Sequence, residues 1–214
     1  MVRRVVFIRS GETDWNKQGR WQGWVASPLN IHGKRQAEAL GRFVRNIGLS
    51  ALYTSDLRRA LQTAEALAAQ LPFDPEPDER LRERAVGLWQ GLTVDEMESW
   101  YPEEFALLLE DREQYIIPGG ESRAEVRERM HVAFDDLVGR DAGETIGILS
   151  HTAAIKFLLD DLISAREVED FDLANASVTT IRRNEDGWEL VAADDKTHLE
   201  GLASSSVTEP EERR

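Results

Sequence analysis

The sequence predicts a three-layer α/β/α fold with a mostly parallel central sheet. Short apolar runs rich in β-branched residues alternate with stretches whose apolar residues recur at helical spacing, the pattern of strands interleaved with helices. No internal repeat, linker or shift in composition divides the 214 residues, a length that supplies one sizeable core. Hydrophobic residues make up 41% and charged residues 31%, which suits a soluble globular domain. The expected organisation is a single domain over 1–202 followed by a polar, disordered tail over 203–214.

Val5-Val6-Phe7-Ile8 is a continuous apolar run before Arg9-Ser10-Gly11, so it reads as a strand buried on both faces that ends in a loop. From Gly33 to Ile47, Ala37, Leu40, Phe43, Val44 and Ile47 recur on one helical face. Ala51-Leu52-Tyr53-Thr54 is a second strand, and Ser55 or Asp56 offers an N-cap for a helix to about Gln70. Three prolines between Leu71 and Pro77 break that helix. The stretch from Thr93 to Arg112 reads as one helix, with Thr93 and Glu96 as a capping box. A loop at Ile116–Gly120 leads to an amphipathic helix from Glu121 to Val138. Thr145 to Ser150 is a third buried strand, followed by His151 and a helix from Ala153 to Leu162. Ser177–Arg182 and Trp188–Val191 flank Asn184-Glu185-Asp186-Gly187 and read as a hairpin.

Composition excludes several classes of function. The net charge of −14 repels nucleic acid and anionic membrane, so neither is an expected partner. The absence of cysteine removes disulfides, thiolate metal sites and thiol nucleophiles. The N-terminal apolar run stops after four residues at Arg9, too short for a signal peptide or a membrane span, and a cytoplasmic protein is expected.

In parallel sheets, ligands gather at the carboxyl ends of strands. Arg9, Arg59 and His151 all fall at or just beyond such ends. Two guanidinium groups and an imidazole suit a phosphate, which arginine binds bidentately at every relevant pH. Glu83, in Leu81-Arg82-Glu83-Arg84, could protonate a leaving oxygen near such a pocket. Each of these residues alone has an ordinary reading as a solvated or packed side chain; the strings around them carry the argument.

Arg9-Ser10-Gly11-Glu12-Thr13-Asp14-Trp15-Asn16 resembles the histidine-phosphatase signature R-H-G-E-T-x-x-N, with Ser10 in place of the histidine. Gly19-Arg20-Trp21-Gln22-Gly23-Trp24 through Ser27-Pro28-Leu29 to Gly33 is similar to that family's substrate loop and following helix. Ser55-Asp56-Leu57-Arg58-Arg59-Ala60-Leu61-Gln62-Thr63-Ala64 resembles its second motif. Leu81-Arg82-Glu83 with Gly87-Leu88-Trp89-Gln90-Gly91-Leu92-Thr93 resembles the third. Pro118-Gly119-Gly120-Glu121-Ser122 and Leu149-Ser150-His151 resemble the fourth and fifth, and Asn175-Ala176-Ser177-Val178 the start of the last strand. The matches keep family order along most of the chain.

The resemblance implies a phosphoglycerate-mutase-like fold with a small helical cap inserted at about 94–117, and a small phosphorylated molecule as partner. It implies that Arg9 and Arg59 clamp the phosphoryl oxygens, Asn16 donates a further hydrogen bond, His151 stabilises transition-state charge and Glu83 acts as general acid and then base. Trp21, Gln22 and Gly23 would form the substrate loop. No metal or cofactor is implied, because the cationic side chains supply the charge that phosphoryl transfer needs. A homodimer stays open.

Two departures matter. Ser10 holds the nucleophile's position, and a hydroxyl is a weak nucleophile without an activating base. Greatly reduced activity or none is therefore expected of the chain as written. An engineered inactive variant in which serine replaces the histidine to trap a phosphorylated ligand, a natural phosphoester binder that has lost its chemistry, and direct attack by Ser10 or a water are the three readings. Thr152-Ala153 stands where the family usually carries Gly-Gly, which could narrow the pocket floor. Only about 26 residues separate Leu92 from Gly119, and Glu83-Arg84-Ala85-Val86-Gly87 lacks the mutase pattern E-R-H-Y-G, so a phosphatase is favoured over a phosphoglycerate mutase.

Overall fold

The computed structural model describes residues 1–163 and 172–202; the tail over 203–214, expected to be disordered, lies outside the described residues. Six strands, β1 (Arg4–Arg9), β2 (Ala51–Thr54), β3 (Glu76–Pro77), β4 (Thr145–Ser150), β5 (Val178–Arg183) and β6 (Trp188–Asp195), form one sheet in the order β3-β2-β4-β1-β5-β6. The first four in that order run parallel, whereas β5 is antiparallel to β1 and β6 to β5. The sheet is thus mixed, its antiparallel edge being the predicted hairpin, closed where the Asn184 N–H donates to the Gly187 carbonyl at 2.9 Å.

Seven α-helices accompany it among the described residues: α1 (Asp14–Lys17), α2 (Ile31–Val44), α3 (Arg58–Ala68), α4 (Val94–Trp100), α5 (Pro102–Glu110), α6 (Arg123–Gly139) and α7 (Thr152–Leu162). The unbroken apolar runs of β1 and β4 have a direct cause: alternate side chains feed two cores. Val5, Phe7, Ile146 and Ile148 pack with Met130, Phe134 and Leu158 on the α6/α7 side. Val6, Ile8, Leu52 and Leu149 pack with Leu40, Val44 and Leu67 on the α2/α3 side. No described helix is long and apolar enough to cross a membrane.

The expected single helix over 93–112 is two. The Thr93–Glu96 capping box starts α4 as predicted. Pro102 then removes a backbone donor and forces Tyr101 out of the helical region, to φ −134° and ψ 53°, so α5 begins afresh. These helices pack over a third core of Trp21, Val86, Trp89, Met97, Leu108 and Ile117. Phe105 and Tyr115 lie against Trp89, at ring-centroid distances of 6.1 and 6.5 Å. The short β3 falls within the proline-rich break, paired with β2 on the sheet edge, where proline's missing donor is harmless.

Two glycines allow backbones to cross. α2 starts at Ile31, two residues before the expected Gly33, because the Asn30 side chain caps it by accepting from the Gly33 N–H at 2.7 Å. A Cβ on Gly33 would lie 2.1 Å from the Glu12 carbonyl oxygen, and Gly33 therefore sets how closely α2 approaches the Arg9–Glu12 turn. Gly87 adopts φ +45°, and its Cβ would lie 2.1 Å from the Pro118 carbonyl oxygen where the two ends of the 94–117 segment meet.

Gly33→Ala should therefore cost about 1–3 kcal/mol of stability. Gly139→Ala, whose Cβ meets nothing within 4 Å, should stay within about 0.5 kcal/mol of the parent. Urea denaturation of the two variants and the parent measures both.

Candidate active site

Parallel pairing brings the site together. Arg9, the last residue of β1, is level with Ser150 of β4, and Thr54 of β2 is level with Leu149. The ladder continues one residue further, with the Ser10 N–H donating to the Ser150 carbonyl at 3.0 Å and the Ser55 N–H to the Leu149 carbonyl at 2.9 Å. Ser10, Ser55 and His151 therefore leave the sheet side by side. The expected cap of α3 by Ser55 or Asp56 is replaced by Leu57, which makes no side-chain cap bond. Both candidates are engaged elsewhere: Ser55 Oγ meets His151 Nε2 at 2.8 Å, and Asp56 pairs with Arg82.

One open-mouthed cavity is lined by every residue singled out in the sequence: Arg9, Ser10, Asn16, Trp21, Gln22, Gly23, Arg59, Glu83 and His151. Arg59, only 3% exposed, is its organising group. Its Nε donates to His151 Nδ1 at 3.1 Å, and its two terminal nitrogens donate to the carbonyls of Gly23 and Val25 at 3.0 and 3.4 Å. A guanidinium only donates, so His151 Nδ1 is an acceptor and its proton sits on Nε2, facing Ser55. Burial, and then the Arg59, Arg9 and Arg129 charges, hold His151 well below the usual imidazole range, which makes it neutral at neutral pH.

Glu83 arrives from an irregular segment and closes the N-terminus of α7. His151 at the cap position supplies no side-chain bond. Glu83 does, accepting from the Ala153 and Ala154 N–H groups at 3.2 and 3.1 Å and from the Arg84 N–H at 2.8 Å. Thr152 and Ala153 both line the cavity, so the residues that depart from Gly-Gly form part of its wall. Asn16 sits in α1, a single turn that the sequence reading overlooked. Its Oδ1 accepts from the Thr13 N–H at 3.0 Å and from Asn175 Nδ2 at 3.4 Å, which leaves Nδ2 as the group to offer a ligand. Arg9 donates to the Leu173 carbonyl. Ser10 Oγ makes no hydrogen bond among the described residues.

The structure adds Arg20, Arg84, Val86 and Asn175 to the lining. Asn175 Nδ2 donates to the Ser10 carbonyl at 3.2 Å and so braces the turn after β1. Its string, Asn175-Ala176-Ser177-Val178, was legible only as a strand start. Arg20 and Arg84 were in view as neighbours of the substrate loop and of Glu83, but nothing in their spacing marked them. Four arginines facing one carboxylate make the cavity locally cationic in a chain of net charge −14.

The sequence matches the model of the histidine phosphatase superfamily (branch 1) over residues 5–196. The chain belongs to the histidine phosphatase superfamily. A probable phosphoglycerate mutase from Klebsiella pneumoniae is 33% identical over 215 residues, covering 95% of this chain and 98% of that protein. Among solved structures, a mycobacterial glucosyl-3-phosphoglycerate phosphatase in complex with VO3 is 29% identical, with a TM-score of 0.80 over 91% of this chain and 100% of that one. A histidine-to-alanine mutant of a phosphoserine phosphatase from Entamoeba histolytica, in complex with phosphoserine, is 26% identical, with a TM-score of 0.79 over 92% and 98% of the two chains.

The buried imidazole gives this member of the superfamily a pH signature. The folded-state pKa of His151 lies below the ordinary value of about 6.5. As pH falls through 6.5 the unfolded chain takes up a proton that the folded chain refuses, so stability is lost from there downward. His198 acts in the same window, lowered by burial with its Nε2 on the Ala176 carbonyl at 2.9 Å. Melting temperature should fall between about pH 7 and about pH 5, with a shallower slope in His151→Gln. Equal slopes in parent and variant would contradict a neutral buried His151.

Proposed function

We propose that the chain carries a metal-independent phosphomonoesterase site whose turnover is strongly reduced by Ser10, while its capacity to bind small phosphomonoesters is kept. The observation that carries this reading is the convergence of Arg9, Asn16, Arg59, Glu83 and His151 on the cavity that Ser10 also lines.

In the intact chemistry, a neutral imidazole at position 10 attacks phosphorus while the bond to the leaving oxygen breaks. The leaving oxygen takes its proton from Glu83. Water then attacks the phosphohistidine, gives its proton back to Glu83, and phosphate departs. Arg9 and Arg59 balance the charge on the equatorial oxygens throughout. Ser10 interrupts the first step, because a hydroxyl must lose a proton to attack and Ser10 Oγ is hydrogen-bonded to no acceptor among the described residues.

The short 94–117 segment and the phosphatases among the solved relatives favour hydrolysis over mutase chemistry, although the curated relative from Klebsiella is named as a probable mutase. The neighbour that holds phosphoserine with a histidine-to-alanine change supports the retained binding capacity; the alternative is a natural binding or regulatory protein.

The test compares the chain as written with Ser10→His on a panel of phosphomonoesters without added metal. The variant should turn over at least ~1000-fold faster, as expected when a missing nucleophile is restored. Inorganic phosphate at about 100 times its Kd should stabilise the chain as written by about 2.7 kcal/mol, and Arg59→Ala should abolish that gain. Phosphate stabilisation without turnover in Ser10→His would favour the binding protein. Neither effect would remove the proposal.

A further inference from the structure

Residues 82–85 follow the 3-10 turn Glu79–Leu81 without a helix or strand of their own, so carbonyls at this place must find partners elsewhere. Those of the four consecutive residues Arg80 to Glu83 are taken by side chains. Arg129 on α6 donates from Nη1 to the carbonyls of Arg80 at 2.9 Å and Arg82 at 2.7 Å, and from Nη2 to that of Glu83 at 2.9 Å. Ser150 Oγ takes the Leu81 carbonyl at 2.7 Å, and Trp24 Nε1 adds a second bond to the Glu83 carbonyl at 2.7 Å.

Arg129 is itself aligned by Glu121. Glu121 Oε1 accepts from Arg129 Nε at 2.8 Å and Oε2 from Nη2 at 2.9 Å. The same Oε2 accepts from the Ala85 N–H at 2.8 Å, and the Glu121 carbonyl accepts from Arg84 Nε at 2.9 Å. One ion pair therefore grips the backbone on both sides of Glu83, and neither of its members lines the cavity.

We propose that Arg129, aligned by Glu121, is the positioning residue that sets the Glu83 carboxyl at the mouth of α7 and over the cavity. The inference rests on the reading of Glu83 as the proton donor of a phosphoryl-transfer site. Arginine is required because three carbonyls and a carboxylate must be met from one rigid planar group, which an ammonium cannot do. Glu83 is carried by an irregular segment, and an error of about 1 Å in a catalytic group can cost about 100-fold in rate.

The amides of Ala153 and Ala154, which donate to Glu83, report its position without any turnover. Their NMR resonances and hydrogen exchange are compared in the chain as written and in its Glu83→Gln, Arg129→Met and Glu121→Gln variants. Arg129→Met should move both resonances in the direction of Glu83→Gln and speed their exchange about 5–10-fold, the loss of about one hydrogen bond. Arg129→Lys should fall between. The Glu121→Gln variant, which keeps the shape of the pair, makes the same comparison if Arg129→Met does not fold.

In a Ser10→His background, Arg129→Met should lower kcat/KM for glycerol phosphate by about 100-fold. It should lower kcat/KM for 4-nitrophenyl phosphate by less than about 3-fold, because kcat/KM ends at formation of the phosphohistidine and this leaving group needs no proton. Unmoved amides, or equal losses of kcat/KM on the two substrates, overturn the inference. If Ser10→His hydrolyses neither substrate, the functional reading fails, and the two amides alone decide whether Arg129 positions Glu83.

Discussion

The level alignment of β1, β4 and β2 at their carboxyl ends is the constraint on which the rest of this molecule depends. Arg9 opposite Ser150 and Thr54 opposite Leu149 bring three distant strings of sequence to one rim. A slip of one residue in either pairing would turn the alternate side chains of β1 or β4 into the wrong core and carry Ser10 or His151 away from the cavity. Register is held by those cores: Val5 and Phe7 need the α6/α7 side, Val6 and Ile8 the α2/α3 side, and exchanging them would leave both badly packed. The site's geometry is therefore a consequence of apolar packing, and the polar residues at the rim contribute chemistry to a position already set.

At that rim the electrostatics run against the charge of the whole chain. Arg9 and Arg59 are buried, and burial of a cation is tolerated only with partners. Backbone carbonyls of Gly23, Val25 and Leu173 supply them, together with the unprotonated nitrogen of His151. An arriving phosphate would bring negative charge to guanidinium groups whose orientation is already fixed, so little reorganisation is asked of the protein. The same contacts tie the loop at Gly23–Val25 to α3, and the Trp24 bond to the Glu83 carbonyl ties it to the segment that carries Glu83.

Much of this was legible in sequence, and the parts that were not have physical reasons. The buried strands, the hairpin and the Thr93 capping box were readable because a two-sided core leaves a continuous apolar run and a cap leaves a fixed spacing. The break at Tyr101–Pro102 was carried by the proline itself, which the helical periodicity around it masked. Ser55 and Asp56 look like caps in sequence but are drawn off by His151 and Arg82, partners 96 and 26 positions away. Arg9, Asn16, Arg59, Glu83 and His151 were found through the strings around them. Asn175 and Arg129 were missed because they act on the backbone of other segments, and no local pattern records a hydrogen bond to a distant carbonyl.

If the cavity at the strand ends is a phosphate site that needs no histidine at position 10, phosphate should occupy it in the chain as written. A crystal structure grown with inorganic phosphate decides the matter. One phosphate should be held by Arg9 and Arg59 beside His151, with Ser10 Oγ beneath the phosphorus and out of bonding reach. An empty cavity, with Arg59 still bound to the Gly23 and Val25 carbonyls at phosphate concentrations that saturate the crystal, would contradict it.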